Sequence, residues 1–371
     1  MAKRITKKAK AAVLTSLGVK PNSAPQKRGT GVKAKRWVHV DTWVDVLQKE
    51  KQWTNPRTPS ASERKKVKVL SVRADKCTPS EVAKLTNLEY VRLACYDDAL
   101  LAPFVEVFRD LEKLVWLSIS GLTDALVPEL GELEKLRRFE LRCQGLSHEG
   151  VKVLPDELFG MANLEQLEIH ECRITTLPDS VGTLKKLERI MLWQNPNLAR
   201  LPSAFGTLPE LATIDLVAPH ALDDAQAFGV LAKLPKLERL RISSRGAPLP
   251  RVLGRFPALV SLSAAHFSAV PASIARCTTL RSLDLGWCED LATLPPEIAK
   301  LPALRHLNLY ANNSLDFTQA AAVIAKCEYL VSITLPAGGL PAVVYETLRA
   351  GGFMQTPNMY GDRWIRGDAV V

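Results

Sequence analysis

The sequence predicts an α/β solenoid of about 11 right-handed coils, with a parallel sheet along one side, short helical or 3₁₀ segments along the other, and a cap at each end. Three observations predict it. First, apolar pairs separated by one residue recur along the chain: Val91/Leu93, Leu117/Ile119, Phe139/Leu141, Leu167/Ile169, Ile190/Leu192, Ile214/Leu216, Leu240/Ile242, Leu262/Ala264, Leu283/Leu285, Leu307/Leu309 and Ile333/Leu335. A spacing of two is the period of a strand, so both members of a pair face the same side. Second, the pairs return every 21 to 28 residues, which allots one coil of chain to each strand. Third, leucines lead into the pair at fixed spacing, clearest at Leu301–Leu309 as L-x-x-L-x-x-L-x-L. Neither a heptad nor a membrane span generates this pattern.

Taken in order, residues 1–36 are expected to be a disordered basic tail. They hold 11 Lys and Arg, including Lys3, Arg4, Lys7, Lys8 and Lys10, and no Asp or Glu. The rest of the chain then carries 38 basic against 39 acidic residues, so the tail owns the whole net charge of +10. Such a tail suits nucleic acid or an anionic membrane, but no aromatic interrupts its lysines as a base-stacking site requires. Residues 37–66 read as an N-terminal helical cap and loop, with Trp37, Trp43 and Trp53 covering the first coil. Val67–Val72 is a leading strand, and the solenoid occupies 67–340. Asp223–Lys233 has the length and start of a true helix, and the acid pairs Asp97-Asp98 and Asp223-Asp224 suit helix starts. Residues 341–371 form a C-terminal cap and tail: a helix over Pro341–Arg349, a stop at Gly351-Gly352, and a segment that folds back on the last coil.

The composition is that of a soluble protein, 47% hydrophobic and 24% charged. No stretch approaches the roughly 20 apolar residues of a membrane helix. The N-terminus lacks the apolar core of a secretory signal, so a cytoplasmic protein is expected. The odd cysteine count agrees, and all seven (Cys77, Cys95, Cys143, Cys172, Cys277, Cys288 and Cys327) are expected as reduced, mostly buried thiols.

Several coils add a second phrase: Leu154-Pro-Asp-Glu-Leu158, Leu177-Pro-Asp-Ser-Val181, Leu201-Pro-Ser-Ala-Phe205, Val270-Pro-Ala-Ser-Ile274 and Leu294-Pro-Pro-Glu-Ile298. With the repeat, this L-P-x-x-Φ step makes residues 85–340 resemble a leucine-rich repeat protein of the intracellular Ras-binding group and its bacterial relatives. The resemblance implies a horseshoe with the strands on its concave face. It implies that each proline opens a convex 3₁₀ or helical segment, and that a buried ladder position, often Asn, follows each strand. Asn195 and Asn312 match that position; Cys172 and Cys288 occupy it in other coils, and Leu122, Pro219 and Arg245 depart from it. A small GTPase or other signalling protein is the partner the resemblance suggests.

No nucleotide, zinc or hydrolase motif is present, and the six histidines have no metal spacing. The sequence therefore predicts no enzyme, cofactor, metal site or small-molecule substrate, but a binding surface. Residues alternating with the core pairs should point outward. Those most suited to anchor a protein are Tyr90, Arg92, Trp116, Arg138, Glu140, Arg142, Glu168, His170, Arg189, Met191, Trp193, Asp215, Arg239, Arg241 and Tyr310, because Tyr, Trp and Arg dominate interface energetics. The mixture of signs argues against a nucleic-acid groove. The leading expectation is a scaffold that binds a protein partner on the concave face. The alternative is a factor localised by its basic tail.

Overall fold

The computed structural model describes residues 61–122, 128–143, 150–217, 221–356 and 362–367, all within one compact unit of the chain. The basic tail and the tryptophans of the N-terminal cap lie outside the described residues. One 14-stranded sheet runs through the unit in the order β1 to β12, then β14, then β13. Its strands are β1 (Val69–Arg73), β2 (Tyr90–Ala94), β3 (Trp116–Ser120), β4 (Arg138–Arg142), β5 (Gln166–His170), β6 (Arg189–Trp193), β7 (Thr213–Leu216), β8 (Arg239–Ser243), β9 (Ser261–Ala265), β10 (Ser282–Asp284), β11 (His306–Asn308), β12 (Ser332–Leu335), β13 (Phe353–Thr356) and β14 (Asp362–Arg366). The first twelve are parallel, each paired with the strand one coil later. Among the described residues no helix is long and apolar enough to cross a membrane.

The register explains the core. Val91 pairs with Leu117, Leu117 with Phe139, and so on down the stack, so the recurrent pairs form two continuous buried columns. Burying one such side chain contributes about 1.5–3 kcal/mol, and every coil repeats the gain against both neighbours. Phe104, Phe139, Phe159, Phe205, Phe228 and Phe267 fill the space between the sheet and the opposite side.

Six strands leave through one left-handed residue. Gly121, Glu171, Gln194, His266, Trp287 and Ala311 stand at the same place in their coils, all with φ between +53° and +93°. The residue after each is buried, and where it is Asn it ties coils together. Asn195 Oδ1 accepts from Cys172 N at 3.0 Å, and its Nδ2 donates to Ile169 O at 2.9 Å. Asn312 Oδ1 accepts from Cys288 N at 2.8 Å. The far side opens at the prolines. Pro155, Pro178, Pro202, Pro271 and Pro295 each precede a five-residue 3₁₀ segment, extended in φ and ψ and with no N–H to orphan. Pro250 does the same before Arg251–Arg255, so Leu249–Leu253 is a sixth copy of the motif. At Gly131 a Cβ would sit 1.7 Å from Glu157 O, which explains the glycine.

α-Helices of eight or ten residues replace the 3₁₀ segment in three coils, at Leu101–Asp110, Asp224–Leu231 and Phe317–Ile324, and a one-turn α-helix, Pro79–Val82, lies between β1 and β2. Asp223 caps the second by accepting from Gln226 N at 3.0 Å, and Asp97 accepts from Ala99 N at 3.1 Å. Helix Ala342–Ala350 and the β13/β14 hairpin close the C-terminal end. β14 pairs antiparallel with β12 and puts Trp364, fully buried, over the last coil. Arg366 is part of that closure, donating to Cys327 O at 2.9 Å.

One expectation is corrected. Cys143 and Cys172 form a disulfide, with Cα atoms 5.2 Å apart, so not all seven thiols are reduced. Each follows a strand in adjacent coils, and parallel neighbours at about 4.8 Å bring such positions into bonding range; the 29 residues between them in sequence hide this. Cys77, Cys95, Cys277, Cys288 and Cys327 are free.

Candidate functional site

The residues between the core columns project from the sheet's outer face, and the parallel register sets them side by side. Between β2 and β8 they form one connected lattice. Tyr90 meets Trp116 edge-on, with centroids 5.7 Å apart. The Arg138 guanidinium lies over the Trp116 ring at 4.0 Å and pairs with Glu168 one strand further on. His170 Nε2 lies 3.3 Å from Glu168 Oε2, and its ring meets Trp193 edge-on at 5.9 Å. Arg241 sits over Trp193 at 5.8 Å and 3.9 Å from Asp215. Arg142 reaches Glu140 at 3.4 Å and Glu171 at 3.5 Å.

This lattice alters the simple outward picture. Trp116, Glu140, Glu168, His170 and Asp215 lie on the outer face yet are buried, 3–8% exposed, because their neighbours on adjoining strands cover them. Tyr90, Arg92, Arg138, Arg142, Arg189, Met191 and Trp193 are partly exposed, and Arg239 and Arg241 are exposed. The second set is presented to solvent and the first holds it in place. Tyr310 stands apart, beyond the end of β11, with its ring 5.7 Å from Trp287. Glu171, absent from the sequence-based set, braces Arg142; the pairing of Arg142 with His170 across β4 and β5 is the signal that finds it.

The electrostatics are uneven. Burial alone would raise the Glu168 carboxyl, but the hydrogen bond from His170 and the charge of Arg138 outweigh it and hold the group below the usual carboxylate range. Asp215 goes the other way: burial pushes it up, and the hydrogen bond from Trp193 with the charges of Arg241 and Arg189 does not outweigh it. Several polar atoms here are buried without a hydrogen-bond partner: Arg138 Nε, His170 Nδ1 and Arg189 Nε. Each such atom costs about 1–3 kcal/mol if nothing meets it.

Glu140, Glu168 and His170 offer ligand-type atoms within 4.8 Å of one another, a metal-like grouping. Both carboxylates already face guanidiniums, Arg142 on Glu140 and Arg138 on Glu168. Two resident cations beside the cluster disfavour a third. Nor do the free thiols offer a nucleophile, since burial pushes Cys77, Cys277, Cys288 and Cys327 up to about 11.

Comparison with known proteins gives the same architecture. Residues 65–263, more than half of the chain, match a family model described as a leucine-rich repeat region. The disease resistance-like protein DSC1 of Arabidopsis thaliana is 29% identical over 143 residues, 36% of this chain and 12% of its own length. The adenylate cyclase of Schizosaccharomyces pombe is 23% identical over 317 residues, 80% of this chain and 17% of its own length. The chain thus spans less than a fifth of these relatives. Among solved structures, an internalin from Listeria monocytogenes superposes with a TM-score of 0.55 at 17% identity, over 78% of this chain and 87% of that one. Drosophila Toll, in complex with Spatzle, gives 0.50 at 17% identity, over 81% and 47%.

Proposed function

The chain belongs to the leucine-rich repeat proteins, and from that premise we propose that it is a non-catalytic scaffold that binds a partner protein on the outer, concave face of β2–β8. One observation carries the reading. Arg138, His170 and Arg189, all on that face, each keep a buried polar atom with no hydrogen-bond partner. A structure keeps such atoms at a cost, and a protein surface that supplies their hydrogen bonds recovers it. The exposed members, Trp193, Arg189, Arg239 and Arg241, are the types that anchor interfaces. The L-P-x-x-Φ step of the Ras-binding group points to a small GTPase or another signalling protein as the partner, by family analogy alone.

Affinity capture with the full chain tests this. A Trp193→Ala/Arg241→Ala variant should lose partners that the parent retains, while a Lys185→Ala/Lys233→Ala variant, altered away from the sheet face, should keep them. An unchanged set of partners for the first variant would remove the face from the account. The charge of residues 1–36 supports a second role, electrostatic localisation to nucleic acid or anionic membrane. Salt-dependent binding to duplex DNA or to anionic vesicles that disappears on deleting 1–36 is the expected sign, and its absence in the intact protein the contrary one.

A further inference from the structure

The row of outward residues that opens each strand carries no Asp or Glu from β2 to β12. Between β4 and β8 it reads Arg138, Gln166, Arg189, Thr213, Arg239, paired in register from strand to strand. An arginine stands on every second strand, with a neutral hydrogen-bonding residue between. The acids of the face lie one row further along: Glu140 pairs with Arg142 and Glu168 with Arg138, while Asp215 lies 3.9 Å from Arg241 and also feels the charge of Arg189. Arg189 and Arg239 form no ion pair among the described residues, and Arg189 Nε is buried without an acceptor. Glu188 and Glu238 precede these two arginines by one residue, outside the strands and off the alternation that faces outward. The row therefore holds arginines at a fixed period, Arg138 paired with Glu168, Arg189 in the field of Asp215, and Arg239 in no ion pair among the described residues.

That period has a match. Alternate strands lie roughly 9.5 Å apart, twice the sheet spacing. One turn of an extended polyproline-type chain takes three residues and advances about 9.3 Å. Such a chain, with an acidic residue at every third position, presents its carboxylates along one side at the arginine spacing. We propose that this row docks an extended acidic segment of the partner protein, with carboxylates falling on Arg239, on Arg189 and, at the far end, beside Arg138. The inference rests on the reading of this face as protein-binding and specifies the partner's chemistry. A nucleic-acid strand fits poorly, because its unbroken phosphates would run against Glu140, Glu168 and Asp215 in the adjoining row.

The test uses the full chain and three fluorescent peptides: repeating Glu-Pro-Pro, the same composition with its glutamates contiguous, and repeating Lys-Pro-Pro. Binding is followed by anisotropy at low and at high salt. The regular acidic peptide should bind best, weaken with salt, and lose about tenfold in affinity in an Arg189→Ala/Arg239→Ala variant. The variant's circular dichroism should match the parent's, and Arg189→Lys/Arg239→Lys should restore part of the binding. No binding, equal binding of the contiguous peptide, or binding undiminished in the alanine variant (and so owed to residues 1–36) would each overturn the proposal. Partner capture separates the two levels. Partners lost by Trp193→Ala/Arg241→Ala but kept by Arg189→Ala/Arg239→Ala leave the face standing and remove the acidic segment. Partners kept by both remove the face itself.

Discussion

Two carboxylates on one face show how a single residue's surroundings decide its sign. Glu168 is held below the usual range by His170 and Arg138, so its contribution to stability is present above the unfolded carboxylate range and is lost as pH falls through its lowered value. Asp215 is raised by burial, so it penalises the fold above its raised value and the penalty fades on acidification. Thermal melts across pH should therefore separate the variants. Glu168→Gln melts lower than the parent at neutral pH, Asp215→Asn melts higher, and both differences close as the pH falls below the carboxylate range. Parallel curves would contradict the assignment. The buried Asn195 gives a larger effect. Asn195→Ala strands Cys172 N and Ile169 O, and at about 1–3 kcal/mol for each orphaned group it should cost roughly 2–6 kcal/mol by urea unfolding. At this scale the sequence is informative where a position recurs, as Asn195 and Asn312 do. It does not disclose that Glu168 and Asp215 differ, because the cations that distinguish them come from other coils.

At the scale of the element, the coil is legible because each of its parts has a local cause. The alternating pair makes the strand, the proline before the 3₁₀ segment has no N–H to strand, and Asp223 and Asp316 cap helices by accepting from Gln226 N and Gln319 N, each at 3.0 Å. What is not local is harder to read. Gln226 reaches back to the preceding coil, its Oε1 accepting from Leu201 N at 3.1 Å and its Nε2 donating to Leu201 O at 2.6 Å, and Gln319 does the same at Leu294. Gln319→Ala should cost about 1–3 kcal/mol, and Gln319→Glu, which sets a carboxylate oxygen against Leu294 O, should cost no less. The Cys143–Cys172 link is another cross-coil feature, invisible until the register aligns the two strand ends. It closes 29 residues of chain, and on the chain-entropy account Cys143→Ala should lose about 3.6 kcal/mol. A cross-linked peptide joining the two cysteines in a non-reducing digest is the direct check.

For the whole molecule, a one-dimensional stack must end, and its last apolar coil must be covered. Here the sequence locates the cap but not its form, since nothing in Phe353–Arg366 declares that β14 will run antiparallel to β12. Deleting residues 351–371 would expose the β12 edge and uncover the coil beneath Trp364 and Phe353, and the truncated chain should aggregate where the parent stays monodisperse in size-exclusion chromatography. The candidate face was legible as a set of columns, because alternation alone assigns them. The division within it, into buried residues that brace and exposed residues that present, depends on lateral packing across seven strands and on no local pattern. The central claim is that the presenting residues meet a protein. Hydroxyl-radical footprinting of the complex with a captured partner tests it most directly, because Tyr90, Met191 and Trp193 are reactive and lie on the face, while Trp287, Tyr329 and Met354 are reactive, exposed and lie outside β2–β8. The account predicts that binding protects the first three and leaves the second three unchanged; protection confined to the second group would contradict it.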